Sequence, residues 1–580
     1  MPISVLSLPT LNQPPYADPR DDRGWSALHQ IEEDSVLSFT FREPTARRRG
    51  IAVAATVALS SLALTACTGG GSGEGGGGEA GALQVLVIKH PLTQDMAKMQ
   101  WAKDLEEEIG VPIEWQEVSA DWDQKKSTIL ASGDIPDLIV GTNAITDSDL
   151  ATYGSLFEDL APHLDDDALP NVAGMFEAQP LLKQMATQAD GQIYSVPGYK
   201  RFWPETVTHQ YINQQWLDNL GLAVPTTWDE LFDVLVAFKE EDANGDGDPN
   251  DEIPWDWSPV GTGGFGYFQP TVMLGSLGLP IASGGGAGYF LEDGTVGNFL
   301  VDDRYRELME FLHKAYAAGL ISEEVMTHDY SAYQSTARGE GDTAKVGFSW
   351  GWTASDRFGA QLAPQYTATA PLQAEAGQSE PVAWSYDGYG ENFPANQIAM
   401  SARSDNKEAA LAAIDAFYDQ DMSIQVLFGD IGPNIEKVDD STYTVLPPAD
   451  GTSDPSTWKW TSSLADNGPM WIRDDIEVEL PTDLQEARDQ AVPLADAIAN
   501  IDLEEDVYPF QFIKMSAEDL NTISLNNTTI LNLTQTKFAE WLTQGGIEEQ
   551  WDDYVAQVEG AGLTQNVEIH QKYYDEFAAG

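Results

Sequence analysis

From Asp242 to Glu252 the chain reads Asp-Ala-Asn-Gly-Asp-Gly-Asp-Pro-Asn-Asp-Glu, five carboxylates within eleven residues. Asp242, Asn244, Asp246, Asp248 and Asn250 place oxygen ligands at alternate positions, with Gly247 at the turn. That is the pattern by which a loop wraps Ca²⁺. The acid that closes an EF-hand stands at position 12; here Glu252 comes at position 11, so a related, shorter loop is expected. Asp242, Asn244, Asp246, Asp248, Asp251 and Glu252 are its expected ligands, and the ion's role would be structural. Without a cation these carboxylates would repel one another, and the alternative is an acidic junction between a helix and a loop.

Three other patterns suggest catalysis and lack the parts for it. Gly347-Phe348-Ser349-Trp350-Gly351 matches the G-x-S-x-G nucleophile elbow and follows an apolar, strand-like run. The only histidine after it is His570, in a helical C-terminal pattern, so a triad in that chain order has almost no candidates. Gly261 to Gly266 matches G-x-G-x-x-G, yet it follows Pro259 and opens no evident helix. Paired carboxylates for glycoside hydrolysis carry no information among 93 acidic residues. No enzymatic activity is expected, and a secreted glycosidase or esterase is the rival reading.

Cys67 is the only cysteine of the 580 residues. Before it stand Arg47, Arg48 and Arg49, the apolar stretch Ile51 to Leu64, and small residues, the parts of an export signal. Leu64-Thr65-Ala66-Cys67 resembles the lipobox of bacterial lipoproteins, in which the cysteine carries lipid on sulfur and becomes the first residue of the mature chain. The apolar run is shorter than the roughly 20 residues that span a bilayer, so cleavage is expected. Residues 1–46, with Asp21, Asp22, Glu32, Glu33 and Asp34, are unlike a signal's basic start; a start codon placed too far upstream accounts for them. Residues 68–82 are a glycine-rich tether.

Thirty basic residues face 93 acidic ones, a net charge of −63. Such a field repels nucleic acid and anionic membrane surfaces, and it suits a solvated acidic exterior. No nucleic acid partner is expected. No stretch after the signal approaches membrane-spanning length, and a single cysteine leaves no intrachain disulfide.

Around these residues the elements alternate. Leu83 to Ile88 reads as a strand, Gln94 to Ile109 as a helix, Ile113 to Val118 as a strand, then a helix through Ile129 and a strand-like run from Asp137 to Gly141. Alternation of this kind predicts crossover connections and a parallel sheet, with ligands held beyond the carboxyl ends of the strands. The loop from Gly141 to Thr146, Asn143 included, is therefore a candidate wall. In Pro225-Thr226-Thr227-Trp228-Asp229-Glu230, Thr227 can cap a helix and Glu230 can reach back, and the helix should run to about Lys239.

GDIPDLI (133–139), LPNVAGMFEAQPLLKQMATQADGQIYSVP (169–197), WLDNLGLAVPTTWDEL (216–231) and ANGDGDPNDEIP (243–254) occur in an order that resembles the extracellular solute-binding proteins of sugar ABC importers, the large oligosaccharide-binding lipoprotein type. GEGDTAKVGFSWGW (339–352) and the segment 537–577 resemble the central strand and the C-terminal helices of that family. One departure is Asn213-Gln214-Gln215-Trp216, where the family often has Arg and Asp. The resemblance implies an α/β, two-lobed periplasmic-binding-protein-like fold of class II type with a hinge between the lobes. It places residues 83–198 plus 394–440 in lobe one, and 199–393 plus 441–580 in lobe two. It further implies a monomer, lipid-anchored on the extracellular face of the cell membrane, that hands an oligosaccharide to the transmembrane subunits of an ABC permease. Sugars present apolar C–H faces and hydroxyl edges, so their sites need flat aromatics and a few polar groups. Trp203, Trp350, Trp352, Trp384, Tyr386 and Tyr389 lie where the family assembles its cleft, with Asp387 among them. Lys200 and Arg201 beside Trp203 leave open a binder of peptides or of uronic-acid sugars.

Overall fold

The computed structural model describes residues 81–579 except 166–167, 202–203, 262–263, 283–286, 340, 448–458 and 481. The signal, Cys67 and the tether through residue 80 lie outside the described residues, as does Trp203.

Strands are numbered along the chain. The first sheet has the order β2 (Ile113–Val118), β1 (Leu83–Ile88), β3 (Leu138–Val140), β12 (Ile398–Met400), β4 (Ser195–Val196). β1 is parallel to β2 and β3, and β12 returns antiparallel between β3 and β4. The inner strands β1 and β3 are largely buried while the edge strand β2 exposes Glu114 and Gln116, and Leu83, Val85 and Val87 point into one core while Leu86 enters a second. The connecting helix begins at Gln100, not at Gln94. Residues 96–98 form a 3₁₀ turn, and the carboxylate of Asp430 accepts the N–H groups of Gln100 and Trp101 (3.2 and 2.8 Å). A cap supplied from 330 residues away sets this helix start.

The second sheet has the order β11 (Tyr366–Ala368), β6 (His209–Asn213), β10 (Val346–Gly351), β7 (Ile253–Trp255). β6 and β10 are buried along their whole length. They lie in a large core shared with the hairpin β8–β9 (Tyr289–Glu292, Thr295–Asn298) and the C-terminal helices Ala517–Gln544, Ile547–Gly560 and Leu563–Ala578. The helix Trp228–Glu240 starts where expected, with Thr227 accepting from Glu230 N–H. Glu230 reaches back one residue further than anticipated, to the N–H and hydroxyl of Thr226 (2.8 and 2.7 Å).

A third, smaller core forms where the helix Gln420–Phe428 meets a sheet of β13 (Ile435–Lys437), β14 (Thr442–Val445) and β16 (Glu477–Glu479). The boundary expected at residue 440 falls inside this sheet, in the turn between β13 and β14. β15 (Trp471–Ile472) pairs in parallel with β5 (Tyr199–Lys200).

The two large sheets and their cores make a two-lobed α/β fold. The chain leaves the first lobe after β5 and returns beside the outgoing segment: Asp387 N–H donates to Glu205 O (2.7 Å), Val207 N–H donates to the Asp387 carboxylate (3.0 Å), and Gly198 N–H donates to Pro394 O (2.9 Å). These paired crossings connect the two lobes.

Candidate functional site

The end of β10 at Gly351 separates two tryptophans that the sequence grouped together. Trp350 is 0% exposed, packed against Trp255 and Phe348 with ring centroids 5.7 and 5.5 Å away. It belongs to the core, which corrects its assignment to the cleft lining. Trp352, one step past the strand, is half-buried and packs on the third core. Its carbonyl accepts from His209 Nδ1 at 2.6 Å, which makes Nδ1 the protonated nitrogen. Burial, opposed by the carbonyls of Trp352 and Gly351, lowers His209 to about 4 and keeps it neutral near pH 7.

The second group divides in the same way. Trp384 is buried and its indole N–H donates to Thr208 O (2.9 Å), so it too is a core residue. Asp387 is buried and spends a carboxylate oxygen on Val207, tying the crossings together rather than facing a ligand. Tyr386 is buried edge-on to Tyr389 (5.3 Å). Tyr389 is half-buried and joins Phe393 and Phe512 in an aromatic cluster between the lobes. Asn143 is exposed at the carboxyl end of β3, with φ 52°. Arg201 is exposed beside Tyr199, whose hydroxyl donates to Asp474 (2.8 Å).

Lys200 is 3% exposed, and its ammonium meets Asp466 Oδ1 at 2.7 Å. Asp466 sits in a 3₁₀ turn, Ala465–Asn467, that is stitched to the β3 loop by Thr142 Oγ1 donating to Asp466 O (2.5 Å). Glu391, in the short helix Gly388–Asn392 of the returning crossing, lies in reach of the same charges. Burial pushes its carboxyl up, partly offset by Lys200 and reinforced by Asp466. From the second lobe, Tyr267 donates to Glu391 Oε1 (3.5 Å). Its ring is 40% exposed, yet its phenol is pushed up, first by desolvation and then by Glu391 and Asp387. An exposed ring with a desolvated tip is what a concave wall produces. The next residue, Phe268, holds φ 62°, a left-handed backbone that a bulky side chain adopts only under constraint. His90 at the end of β1 meets Trp460 at 4.9 Å. Tyr267, Glu391, Asp466 and Trp460 went unread in the sequence. Tyr267 had one faint signal, its place just after the glycine-rich run 261–266.

Ser349 of the G-x-S-x-G motif is fully buried and accepts from Arg357 Nε (3.0 Å). His570 packs instead against Tyr289 and Tyr508. In the acidic loop, the expected calcium ligands do not converge: among the described residues no three His, Cys, Asp or Glu side chains gather as a metal would require. Asp246 Oδ1 accepts from Asp248 N–H and Asp248 Oδ1 from Asn250 N–H, because short acidic side chains in a turn satisfy nearby amides. The two ends of the loop differ. Asp242 Oδ1 and Glu252 Oε2 are buried with no hydrogen-bond donor, and desolvation raises the Glu252 carboxyl.

The family model for bacterial extracellular solute-binding proteins matches residues 90–422. The chain belongs to that family. Among solved structures it is similar to an extracellular solute-binding protein from Bifidobacterium longum subsp. infantis (34% identity, 86% of this chain and 98% of the other, TM-score 0.79). It is equally similar to an HMO-binding, ABC-transporter-associated solute-binding protein from Bifidobacterium longum infantis (34% identity, 86% and 99%, TM-score 0.78). The fructooligosaccharide ABC transporter substrate-binding protein FusA of Streptococcus pneumoniae is 28% identical over 86% of this chain and 91% of its own length. FusA's structure with kestose superposes with a TM-score of 0.72 at 26% identity over 86% of this chain and 99% of that one.

Proposed function

We propose that this protein captures an oligosaccharide between its lobes and delivers it to the transmembrane subunits of an ABC importer, acting as a binding protein without catalysis. The observation that carries the reading is the junction of Tyr267, Glu391 and Asp466: an exposed aromatic face beside carboxylate acceptors, drawn from both lobes and the crossing between them. An aromatic face suits the C–H side of a pyranose or furanose ring, and carboxylates accept from its hydroxyls. Trp352, Tyr389 and Asn143 remain candidate contacts. The described relatives that bind fructooligosaccharide or HMO support the choice of ligand class. Isothermal titration of the purified mature chain with kestose, nystose and milk-type oligosaccharides tests it, and binding to at least one with a Kd in the micromolar range or tighter is expected.

Two further parts belong to the reading. Lipidated Cys67 would hold the protein at the outer face of the membrane through two acyl chains, enough for stable attachment; no helix among the described residues is long and apolar enough to cross a membrane. The unpartnered oxygens of Asp242 and Glu252 fit a divalent cation, with Asn244, Asp246, Asp248 and Asp251 available in the same loop. A FusA EF-hand mutant has been crystallised with fructo-nystose, so a relative carries such a motif. When bound, calcium would neutralise the loop and stabilise the fold.

A further inference from the structure

The junction between the lobes also limits the charge of what can enter it. Lys200 is buried, and its ammonium is taken up by Asp466 at 2.7 Å. Glu391 adds a second carboxylate with Tyr267 as its hydroxyl partner, so two acids stand against one base. Other lysines of this region are committed as well. Lys514 meets Asp147 at 2.7 Å, and Lys89 pairs with Glu117. Arg201 is exposed beside Tyr199, whose hydroxyl donates to Asp474.

We infer that the cleft selects uncharged oligosaccharides and rejects those bearing carboxylate or sulfate, with Lys200, Asp466 and Glu391 as the selecting residues. The inference rests on the oligosaccharide reading and sharpens it. An anionic ring would surrender its hydration to meet a net negative junction, and like charges brought together across an interface cost several kcal/mol. A neutral ring meets acceptors for its hydroxyls and loses little. Of the adjacent basic pair Lys200-Arg201, which in the sequence suggests an anion site, Lys200 is matched by Asp466, an acid that approaches only in the fold.

A glycan array carrying neutral, uronic-acid, sialylated and sulfated members, probed with the labelled mature chain, gives the first readout. Its strongest ligands should be uncharged. Calorimetric titration then compares the best neutral ligand with the same sugar carrying one uronic acid, and the charged form should bind about 100-fold more weakly. Asp466→Asn removes one negative charge from beside Lys200, and the ratio should shrink by about tenfold or more. Glu391→Gln leaves the Lys200–Asp466 pair intact and removes the surplus acid, so it should narrow the ratio even if Asp466→Asn fails to fold. Anionic glycans as the strongest ligands, or ratios unchanged in folded variants, overturn the charge selection while leaving the oligosaccharide reading standing. Absence of any bound glycan, neutral or charged, overturns both.

Discussion

Replacing Trp350 with alanine separates core from cleft at the end of β10. The ring is fully buried between Trp255 and Phe348, and loss of a large aromatic from such a place costs roughly 3 to 5 kcal/mol. One term works the other way. The indole N–H of Trp350 is buried with no acceptor, and deleting it returns roughly 1 to 3 kcal/mol of desolvation. The net loss should be about 2 kcal/mol, read as a lower midpoint in urea denaturation, while the folded fraction titrates with an unchanged Kd. Trp350→Phe sharpens the test. It sacrifices about 1 to 2 kcal/mol of burial and removes the same orphan N–H, so stability should stay near that of the parent. Trp352→Ala should behave oppositely, with binding weakened by about 1 to 3 kcal/mol if its half-buried face stacks on a sugar. The reasoning fails if Trp350→Ala melts like the parent and binds tenfold or more weakly, because that outcome puts the ring against ligand.

Chelation should lower the melting temperature, and calcium at a hundredfold excess over its Kd should restore about 2.7 kcal/mol; Asp242→Asn with Glu252→Gln should remove this dependence, and identical melting curves with and without chelator would dismiss the ion. Cys67→Ser should release the protein from the membrane fraction or leave an unprocessed precursor, as cell fractionation and mass spectrometry would show. Burial depresses both His209 and His570 from 6.5 to about 4, so the unfolded chain binds more protons between those values. Stability should therefore be full above about pH 6.5 and fall as the pH drops toward 4, by up to about 3 kcal/mol for each histidine. His570→Gln should flatten that slope in a series of denaturation curves across pH, and an unchanged slope would assign the acid sensitivity elsewhere.

Local rules made several elements legible. The strand, helix, strand pattern from Leu83 to Val140 follows from apolar runs and turn residues that need only their neighbours. The Thr227 cap follows from a side chain that can reach amides within three residues of itself. The family order of motifs is likewise a property of the linear chain. Other features depend on distance closed by folding. Asp430 caps a helix 330 residues away, and no local pattern announces it. Trp350 and Trp352 stand two positions apart, a spacing that a continued strand would place on one face; because β10 ends at Gly351, the first is core and the second packs on the third core instead. Asp387 looks like a ligand group among aromatics, and becomes a tie between the two crossing segments because Val207 is brought to it. The charge of the junction is the clearest case. Lys200 reads as a free cation in the chain, whereas the fold sets Asp466 against it and Glu391 nearby; electrostatics depends on separation in space, which sequence order does not record.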